Sequence, residues 1–425
     1  MKVKISDIFD FEKGALQSSK CVIGEYDFIT ASSDWKKHNV YTHECEALII
    51  AVAASGSLGR THYVNGKFIA SDLCFILQPK AEFKEKINLK FYYEYFNFIK
   101  DDLVFKTATG SAKKAINKLN FAQYEIIFPN KEYQDKIIQK LCEFKKDFGI
   151  LNENFEYDAK LVDKLRQSIL QDAIQGKLVP QNPNDEPALI LLEKIKAEKE
   201  QLLKEGKIKK DSISSEEPSK EDFLIPSNWE WTYLKDICRI ITDGTHKTPT
   251  YLSNGIPFLS VKNVRPYNIN DTEKKFISLE EHNLICKRCK PEKGDILYTK
   301  VGATYGYAAI NKLDYEFSIF VSLALIKPMH KYFTSEYAEL VLNSPYVYKQ
   351  ASERISGIAV PDLHLVEIRS FKIPLPPLEE QKRIVARVKE LMQLCDKLEN
   401  ENNNAQKYSS ELLQSIMQKY FTPEV

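Results

Sequence analysis

The sequence contains no long hydrophobic run. No stretch approaches the ~20 consecutive apolar residues that a membrane-spanning helix requires, and the opening residues MKVKISDIFDF lack the apolar core of a signal peptide. These absences predict a cytoplasmic protein without a membrane partner. Hydrophobic residues make up 43% and charged residues 28% of the chain, which is typical of folded globular proteins rather than disordered or fibrous ones.

Cysteine is scarce, and neither sign of charge dominates. Eight cysteines are scattered over 425 residues, which favours reduced core thiols over a disulfide framework. The one CxxC, Cys286 to Cys289, has no second pair at the spacing of a zinc module, and a closed zinc site needs four ligands. Because 60 basic residues face 59 acidic ones, any nucleic-acid surface has to be local.

Motifs of catalysis are also missing. The Gly66–Lys67 pair lacks the glycine five residues earlier that a phosphate-binding loop requires. The stretch Asn343–Tyr346 approaches a DNA methyltransferase tetrapeptide, but it follows a helical segment and no cofactor-type glycine loop precedes it. A nuclease site could be formed by Asp362 and Glu367, but Arg369 stands where such a site has a lysine. Metal-assisted hydrolysis therefore has little support. We therefore predict no catalytic residue, no metal and no cofactor in this chain.

The sequence does contain an internal repeat. A shift of 247 residues superimposes two segments without a gap, and it pairs Pro129 with Pro376, Gln134 with Gln381, Ile137 with Ile384, Leu165 with Leu412 and Gln171 with Gln418. A constant offset over some sixty residues is not expected of unrelated helices that share only their composition. An internal duplication therefore organises the chain.

Heptad spacing within each copy predicts a long helix. The first copy places Ile137, Leu141, Phe144, Phe148, Leu151, Phe155, Asp158, Val162, Leu165 and Ile169 at alternating steps of four and three; the second copy has Ile384, Val388, Leu391, Cys395, Leu398, Asn402, Ala405, Ser409, Leu412 and Ile416. We predict one helix over 131–174, a matching second helix, and antiparallel packing between the two. The alternative is that each helix packs only on its neighbouring module. Pro374, Pro376 and Pro377 stiffen the entry to the second helix.

Two similar sheet-rich α/β modules precede the helices. Short apolar runs alternate with turn signals in each, and KISDIFDF (4–11) is similar to LKDICRI (234–240), as YDFITAS (26–32) is to IPFLSVK (256–262). We predict module 1 over 1–128, a helical region and linker over 129–224, module 2 over 225–372 and a C-terminal helical region over 373–425. Within the central region, 185–206 predicts an amphipathic helix and 207–223 an exposed linker.

Several stretches together resemble the specificity subunit (HsdS type) of type I restriction-modification systems. They are IPLPPLEEQKRIVARV, its counterpart FPNKEYQDKIIQKL, LRQSILQDAIQGKLVP (165–180), IPSNWEW (225–231) and DGTHKTPTYLSNGIPFLSVKNV (243–264). The resemblance covers essentially the whole chain. It departs where FPNKEYQ replaces the fuller IPLPPLEEQ and where module 1 lacks the DGTHKTP loop.

The resemblance implies a non-catalytic, mixed α/β subunit with two target recognition domains, modules 1 and 2, held apart by two long antiparallel coiled-coil helices. Each domain would read half of a bipartite DNA site with a fixed-length spacer. The implied partners are double-stranded DNA, two methyltransferase subunits and restriction/translocation subunits. S-adenosylmethionine, ATP and magnesium would belong to those partner subunits.

The polar loops of both modules supply candidate DNA contacts, because paired donors and acceptors read base edges while basic and hydroxyl side chains bind phosphates. In module 1 the candidates are Ser18, Ser19, Lys20, Ser32, Trp35, Lys36, Lys37, His38, Arg60, His62 and Tyr63. In module 2 they are Thr245, His246, Lys247, Thr248, Lys262, Asn263, Arg265, Lys300, Tyr305 and Arg354. For any one of them the alternative is a solvated or packed side chain, but the clustering favours contact.

Two other functions fit the same plan. A coiled-coil adaptor that holds proteins would need no DNA reading, and its association with DNA would be weak and insensitive to salt. A specificity component of a fused type II-like restriction enzyme would read DNA for a partner that carries methylase and nuclease in one chain.

Overall fold

A computed structural model describes residues 1–53, 56–110, 113–208, 223–356 and 361–422. The predicted linker over 207–223 lies almost wholly outside the described residues. The chain divides into two compact units: unit 1 is Met1–Glu156 with Asn403–Val425, and unit 2 is Tyr157–Asn402. Within the described ranges, no helix combines the length and the apolar character needed to cross a lipid bilayer.

Unit 1 is built on a sheet with helices against it. Its strands are β1 (Lys2–Lys4), β2 (Phe9–Lys13), β3 (Tyr26–Ile29), β4 (Lys36–His38), β5 (His43–Ala51), β6 (Thr61–Ala70), β7 (Cys74–Pro79), β8 (Ala108–Thr109), β9 (Ala115–Ile116) and β10 (Glu125–Ile127). Its helices are α1 (Ile5–Ile8), α2 (Leu89–Phe98), α3 (Lys100–Thr107), α4 (Lys118–Gln123), the first part of α5 (Lys131–Ile174) and the last part of a second long helix, α12 (Leu378–Phe421).

The central strand of this sheet is buried on both faces. The strand order is β2-β7-β5-β6-β3-β4, with β3 parallel to β6 and the other pairs antiparallel. Because alternate residues of a strand point to opposite faces, Leu48 and Ile50 of β5 join the core under α2, whereas Ala47 and Ile49 join a separate core on the other face. Two-sided burial explains why residues 47–51, the second half of β5, form a continuous apolar run.

Unit 2 contains the second module. Its strands are β11 (Glu230–Tyr233), β12 (Cys238–Asp243), β13 (Ile256–Leu259), β14 (Val264–Arg265), β15 (Asn268–Ile269), β16 (Lys275–Ile277), β17 (Ile296–Thr299), β18 (Ala308–Ile310), β19 (Ser318–Ile319), β20 (Leu323–Pro328) and β21 (Lys372–Leu375). Its helices are the second part of α5, α6 (Ala188–Lys204), α7 (Leu234–Ile237), α8 (Leu279–Cys286), α9 (Ser335–Leu342), α10 (Pro345–Glu353), α11 (Leu365–Arg369) and the first part of α12 (Leu378–Phe421).

The two modules share one strand order. In module 2, β12-β20-β17-β18 repeats β2-β7-β5-β6, and β16-β13-β19 repeats β4-β3-β6, including its parallel pair. The ten-residue strand β6 thus corresponds to two short strands, β18 and β19, separated by a loop. Each module also begins with a strand, a one-turn helix and a second strand, as the similarity of KISDIFDF and LKDICRI predicts.

The long helices confirm the repeat. Helices α5 and α12 contain 44 residues each, and both their first and their last residues differ by the 247 positions of the sequence offset. In unit 1, the Tyr133 hydroxyl near the start of α5 donates to the Tyr420 carbonyl near the end of α12 at 3.1 Å. In unit 2, Arg166 of α5 donates to Asp396 and Glu399 of α12 at 2.8 and 2.9 Å. The predicted antiparallel packing is confirmed in each unit.

The heptad seam is only partly buried. Ile137, Leu141, Ile169 and Ile384 are nearly inaccessible to solvent, and Cys395 is 1% exposed. In contrast, the seam leucines Leu151, Leu165, Leu398 and Leu412 are 40–54% exposed. The helices therefore bury seam residues near their ends and at Cys395, and they leave these four leucines accessible.

Equivalent glutamines connect each long helix to its module. Gln134 and Gln381 are both 0% exposed. The Gln134 amide donates to the Pro129 and Lys86 carbonyls and accepts from the Asn88 N–H, at 2.8, 3.0 and 2.7 Å. The Gln381 amide makes the same set of bonds with Pro376, Tyr332 and Thr334, at 3.1, 2.9 and 3.0 Å. The matched glutamines of the repeat thus satisfy main-chain groups that would otherwise be buried without partners.

Two of the sequence stretches that carry the resemblance meet in unit 2. Trp229 of IPSNWEW donates from Nε1 to the Glu380 carboxylate of IPLPPLEEQ at 3.0 Å, and Gln181 donates to the same carboxylate. Arg383, one turn further along α12, forms a two-point ion pair with Asp185 at 2.6 and 3.3 Å. These contacts hold the start of α12 against the chain that follows α5.

Candidate nucleic-acid interface

The candidate residues of module 1 lie on three neighbouring features. Ser18, Ser19 and Lys20 form an exposed 3-10 turn. Ser32, Trp35, Lys36 and Lys37 lie on the exposed β3–β4 hairpin. Arg60, His62 and Tyr63 lie at the start of β6, which pairs in parallel with β3. The sheet order therefore brings the last two sets to the same part of unit 1.

Several of these side chains already have partners in the fold. The Ser32 hydroxyl donates to the Asp34 carbonyl at 2.9 Å, and Lys37 pairs with Asp27 at 2.7 Å while remaining 58% exposed. His38 is only 6% exposed, and its Nδ1 lies 3.0 Å from the main chain of Val22. His38 therefore holds the hairpin in place, whereas Lys36 and Lys37 present their charges to solvent.

Trp35, His62 and Tyr63 line a shallow pocket of about 300 Å³, and Arg60 lines a neighbouring depression that also includes His62. Trp35 donates from Nε1 to His62 Nδ1 at 3.3 Å, and their rings meet edge to face. Arg60 donates to the Ala31 carbonyl and the Ser57 hydroxyl. Burial, and after it the Arg60 charge, lowers the pKa of His62, which favours the neutral ring whose Nδ1 accepts from Trp35.

Tyr63 is held in its protonated form. Its hydroxyl donates to Glu46 at 2.6 Å, and burial followed by that hydrogen bond raises the pKa of Tyr63 to about 12. The pocket also contains Tyr93 and Lys90, which sequence reasoning missed because both lie on helix α2, outside any polar loop. Aromatic faces beside cations are the composition that nucleic-acid surfaces use.

In module 2 the loop Asp243–Thr248 is built around a buried carboxylate. Asp243, at the end of β12, is 3% exposed. It accepts from Arg288 at 2.9 Å and lies 3.3 Å from His246 Nε2 and 3.9 Å from Lys300 Nζ. Thr245 fixes the turn by donating to the Lys247 carbonyl at 3.1 Å. The result is a stiff loop that presents His246, Lys247 and Thr248 to solvent.

Two basic candidates of module 2 differ in accessibility. Lys300 is 4% exposed and forms ion pairs with Asp243 and with Asp362 at 3.4 Å, so it supports the loop from beneath. Lys262 is exposed on the turn that follows β13. Arg288 was missed by sequence reasoning, since ICKRCK was considered only as a CxxC motif, yet it is exposed beside His246.

The remaining candidates are tied to local structure. Asn263 is 4% exposed, with its amide bonded to Ser260 and Asn270. Arg265 is exposed but donates to carbonyls of its own loop. Tyr305 stacks on Tyr348 at 5.4 Å. Arg354 donates to Ser370 and covers Phe371.

The stretches considered for catalysis have structural roles. Asn343 ends α9 and donates to the Ala308 and Glu339 carbonyls, while Ser344 caps α10. Arg369 donates to the Ile241 carbonyl at 2.8 Å. Cys286 lies 3.6 Å from the His282 ring, but among the described residues no group of His, Cys, Asp and Glu side chains is arranged to hold a metal ion.

Comparison with known proteins places this chain in a family. The model of the type I restriction modification DNA specificity domain matches residues 1–155 and again 226–406. The chain therefore belongs to that family, and the two matches correspond to the two copies of the repeat.

The relatives are specificity subunits. The chain is 31% identical over 279 residues to the type I restriction enzyme EcoAI specificity subunit of Escherichia coli, an alignment that covers 61% of this chain and 45% of that protein. It is 29% identical to the EcoEI specificity subunit, with 60% and 44% covered. The chain thus spans under half the length of these relatives. The EcoDI specificity subunit aligns with the whole chain and 88% of its own length at 23% identity.

Solved structures share the fold. A chain described under complex assembly and conformational transition of the type I R-M system has a TM-score of 0.62 at 16% identity and covers 100% of this chain and 98% of its own. The HsdS subunit from Thermoanaerobacter tengcongensis has a TM-score of 0.56 at 16% identity, with 100% and 97% covered. These likenesses confirm the predicted fold class.

Proposed function

We propose that this chain is the non-catalytic specificity subunit of a type I restriction-modification complex, and that modules 1 and 2 each read one half of a bipartite DNA site with a fixed-length spacer. The carrying observation is the family match on both copies of the duplicated plan. Two modules that share a strand order but differ in their loops are suited to recognising two different half-site sequences.

Each module combines a stiff frame with exposed polar side chains. Lys36 in module 1 and Lys247 and Lys262 in module 2 are exposed cations suited to phosphates. His246 and Thr248 lie on the loop fixed by Asp243 and are suited to base edges. A loop held by a buried carboxylate loses little freedom on binding, which favours affinity.

The long helices are proposed to dock two methyltransferase subunits. In unit 2, Leu161 and Leu165 of α5 are 42% and 44% exposed, and Leu394 and Leu398 of α12 are 49% and 47% exposed. Each pair is spaced by four residues and therefore lies on one face of its helix. Contiguous exposed apolar residues mark interaction surfaces.

Chemistry is assigned to the partner subunits. The methyltransferase subunits would bind S-adenosylmethionine and flip the target adenine out of the duplex, and the restriction/translocation subunits would use ATP and magnesium. In this proposal the present chain supplies only the choice of site.

Reconstitution tests this assignment. The chain mixed with its cognate methyltransferase subunit and labelled S-adenosylmethionine should methylate duplex DNA carrying the recognised site and leave a scrambled duplex unlabelled. Neither the chain alone nor the methyltransferase subunit alone should label either duplex. Labelling by this chain alone would contradict a non-catalytic role.

The exposed helix leucines equally fit an interaction scaffold that does not read DNA. The two functions differ in their response to salt, because a DNA reader displaces counterions and loses affinity steeply between 50 and 200 mM salt, by roughly 10³-fold or more for six or more phosphate contacts. A scaffold should show weak DNA association that salt hardly changes.

A further inference from the structure

The connection between β13 and β16 is longer than its counterpart in module 1. Residues 260–274 join these two strands, whereas residues 30–35 join the equivalent strands β3 and β4. Part of the longer connection forms a hairpin of its own, in which β14 and β15 pair antiparallel with Arg265 opposite Asn268. Because the surrounding strands correspond, this hairpin is one place where the two modules differ.

Alternation along the hairpin gives its two faces different characters. Val264 is 0% exposed and, with the partly buried Ile269, belongs to one of the hydrophobic cores of unit 2. Successive side chains of a strand point to opposite faces, so Arg265 and Asn268 lie on the outer face, and both are exposed. The strand residues of the outer face are therefore one arginine and one asparagine.

Hydrogen bonds hold the base of the hairpin in place. Asn263 is 4% exposed, and its side chain accepts from the Ser260 N–H at 2.9 Å and donates to the Asn270 carbonyl at 3.0 Å. The Asn270 N–H donates in return to the Asn263 carbonyl at 2.7 Å. The hairpin is therefore stiff before it meets a ligand, which reduces the entropy lost on binding.

The tip of the hairpin has a conformation that its residue type disfavours. Tyr267 has a φ of 63°, and within the part of the chain that the structure describes it is the one non-glycine residue with a positive φ. Its N–H donates to the Ala308 carbonyl of β18 at 3.0 Å. Bulky residues rarely adopt this left-handed conformation, and strained backbone is concentrated at functional sites. The strain at this turn points to a function of the hairpin beyond packing.

The polar groups of the outer face are only partly used within the protein. Arg265 donates through Nη1 to the carbonyls of Val261, Lys262 and Val264, at 3.5, 3.3 and 2.8 Å. Within the described chain, neither its Nε and Nη2 nor the Asn268 side-chain amide makes a hydrogen bond. The Nη1 bonds thus orient the guanidinium and leave its other edge available to a ligand.

Arginine and asparagine are suited to the base edges of duplex DNA. Arginine donates to O6 and N7 of guanine, and asparagine donates to N7 of adenine while it accepts from the N6 amino group. Both base edges face the major groove, which admits a two-stranded β ribbon. Because Arg265 and Asn268 are directly opposite each other on the ribbon, their side chains are close enough to reach neighbouring base pairs.

The hairpin lies beside the candidate loop at the end of β12. In that loop, Thr245 exchanges main-chain hydrogen bonds with Ile319 and Val321, each at 3.0 Å. At the base of the hairpin, the Val261 N–H donates to the Ser322 hydroxyl at 3.2 Å. Both elements are thus attached to the short segment that joins β19 to β20.

We propose that the β14–β15 hairpin enters the major groove of the half-site that module 2 reads, where Arg265 binds a guanine and Asn268 binds an adenine. This inference rests on the proposed function and adds two named bases to it. It also adds Asn268, which the sequence analysis did not single out.

The test uses the chain reconstituted with its cognate methyltransferase subunit and S-adenosylmethionine, and a library of duplexes randomised in both half-sites. Asn268→Ala should lose the preference for adenine at one position of the half-site that module 2 reads, and Arg265→Ala should lose the preference for guanine at a nearby position. Each preference should fall by roughly 5- to 150-fold, and the half-site of module 1 should be unchanged. The control is Arg239→Ala, an exposed arginine at the opposite end of β12 from the candidate loop, which should keep every preference.

Modified bases show whether the contacts are direct. Replacing the guanine by 7-deazaguanine removes the N7 acceptor, so the wild-type complex should lose affinity and the Arg265→Ala complex should lose none. The same comparison with 7-deazaadenine applies to Asn268→Ala, whose missing side chain makes no hydrogen bond in the fold. Equal losses in the wild type and the variant would overturn direct contact.

The failure of this proposal differs from the failure of the proposed function. A wild-type complex that methylates DNA without sequence preference overturns the proposed function itself. If the wild type has a two-part motif and the hairpin variants keep every base preference, only the hairpin assignment is overturned. The same holds if the variants weaken binding to all sequences alike, as the loss of phosphate contacts would.

Discussion

At the residue scale, single buried polar side chains hold the modules on their helices. Gln381 provides three hydrogen bonds to main-chain groups while being 0% exposed. Leucine at this position would leave those groups buried without partners, each at roughly 1–3 kcal/mol. We expect Gln381→Leu to reduce the free energy of unfolding of unit 2 by about 3 kcal/mol or more, measured by urea denaturation.

The control is Gln393→Leu, an exposed glutamine on the same helix, which should change stability by less than about 0.5 kcal/mol. The equivalent variant Gln134→Leu should destabilise unit 1 as Gln381→Leu destabilises unit 2. Equal midpoints for Gln381→Leu and Gln393→Leu would show that these bonds do not stabilise the fold.

His62 makes the stability of module 1 depend on pH. Burial lowers its pKa in the folded state, so the unfolded chain takes up a proton at higher pH than the folded chain does. The stabilising contribution of His62 is therefore complete above the unfolded pKa of about 6.5 and decreases as the pH falls from 6.5 towards the folded pKa. On acidification from pH 7.5 to 5.5, the wild type should lose more stability than His62→Gln. Equal losses in paired denaturation curves would refute this role for His62.

At the element scale, the long helices are proposed to set the distance between the two recognised DNA half-sites. Four residues inserted after Asn152 in α5 and after Glu399 in α12, at equivalent positions of the repeat, lengthen both helices by about 6 Å. We expect the spacer of the recognised site to grow by one or two base pairs, as read from methylated sites. Insertion into α5 alone mismatches the pair and should abolish methylation. An unchanged spacer in the double insertion would rule out a length-setting role.

Helices were more predictable from sequence than strands. The periodicity and the constant offset predict α5 over 131–174, because a helix repeats its face along a continuous segment and both copies carry the same signal. No such signal shows that the single strand β6 of module 1 corresponds to two strands, β18 and β19, in module 2. Short strands are defined by pairing with residues that are distant in sequence. The predicted amphipathic helix over 185–206 forms at Ala188–Lys204.

The candidate DNA-contacting residues were predicted from their residue types. In the structure some of them are exposed and others are buried. Lys36, Lys247 and Lys262 are exposed as expected, whereas Lys300 and Asn263 are nearly inaccessible. Sequence reasoning treats a polar residue after an apolar strand as surface, and it has no access to distant partners such as Asp362.

At the scale of the whole molecule, the two similar modules are proposed to read two different half-sites of one DNA site. The most direct measurement is the map of methylated adenines in host strains that carry the gene, lack it, or carry His246→Ala/Lys247→Ala. The wild type should show a two-part motif with a constant spacer, and deletion should remove it. The His246→Ala/Lys247→Ala variant should reduce sequence specificity only at the half-site that module 2 reads. Two results would contradict this proposal: a methylation motif that persists without the gene, or a loop variant that changes the specificity at both half-sites alike.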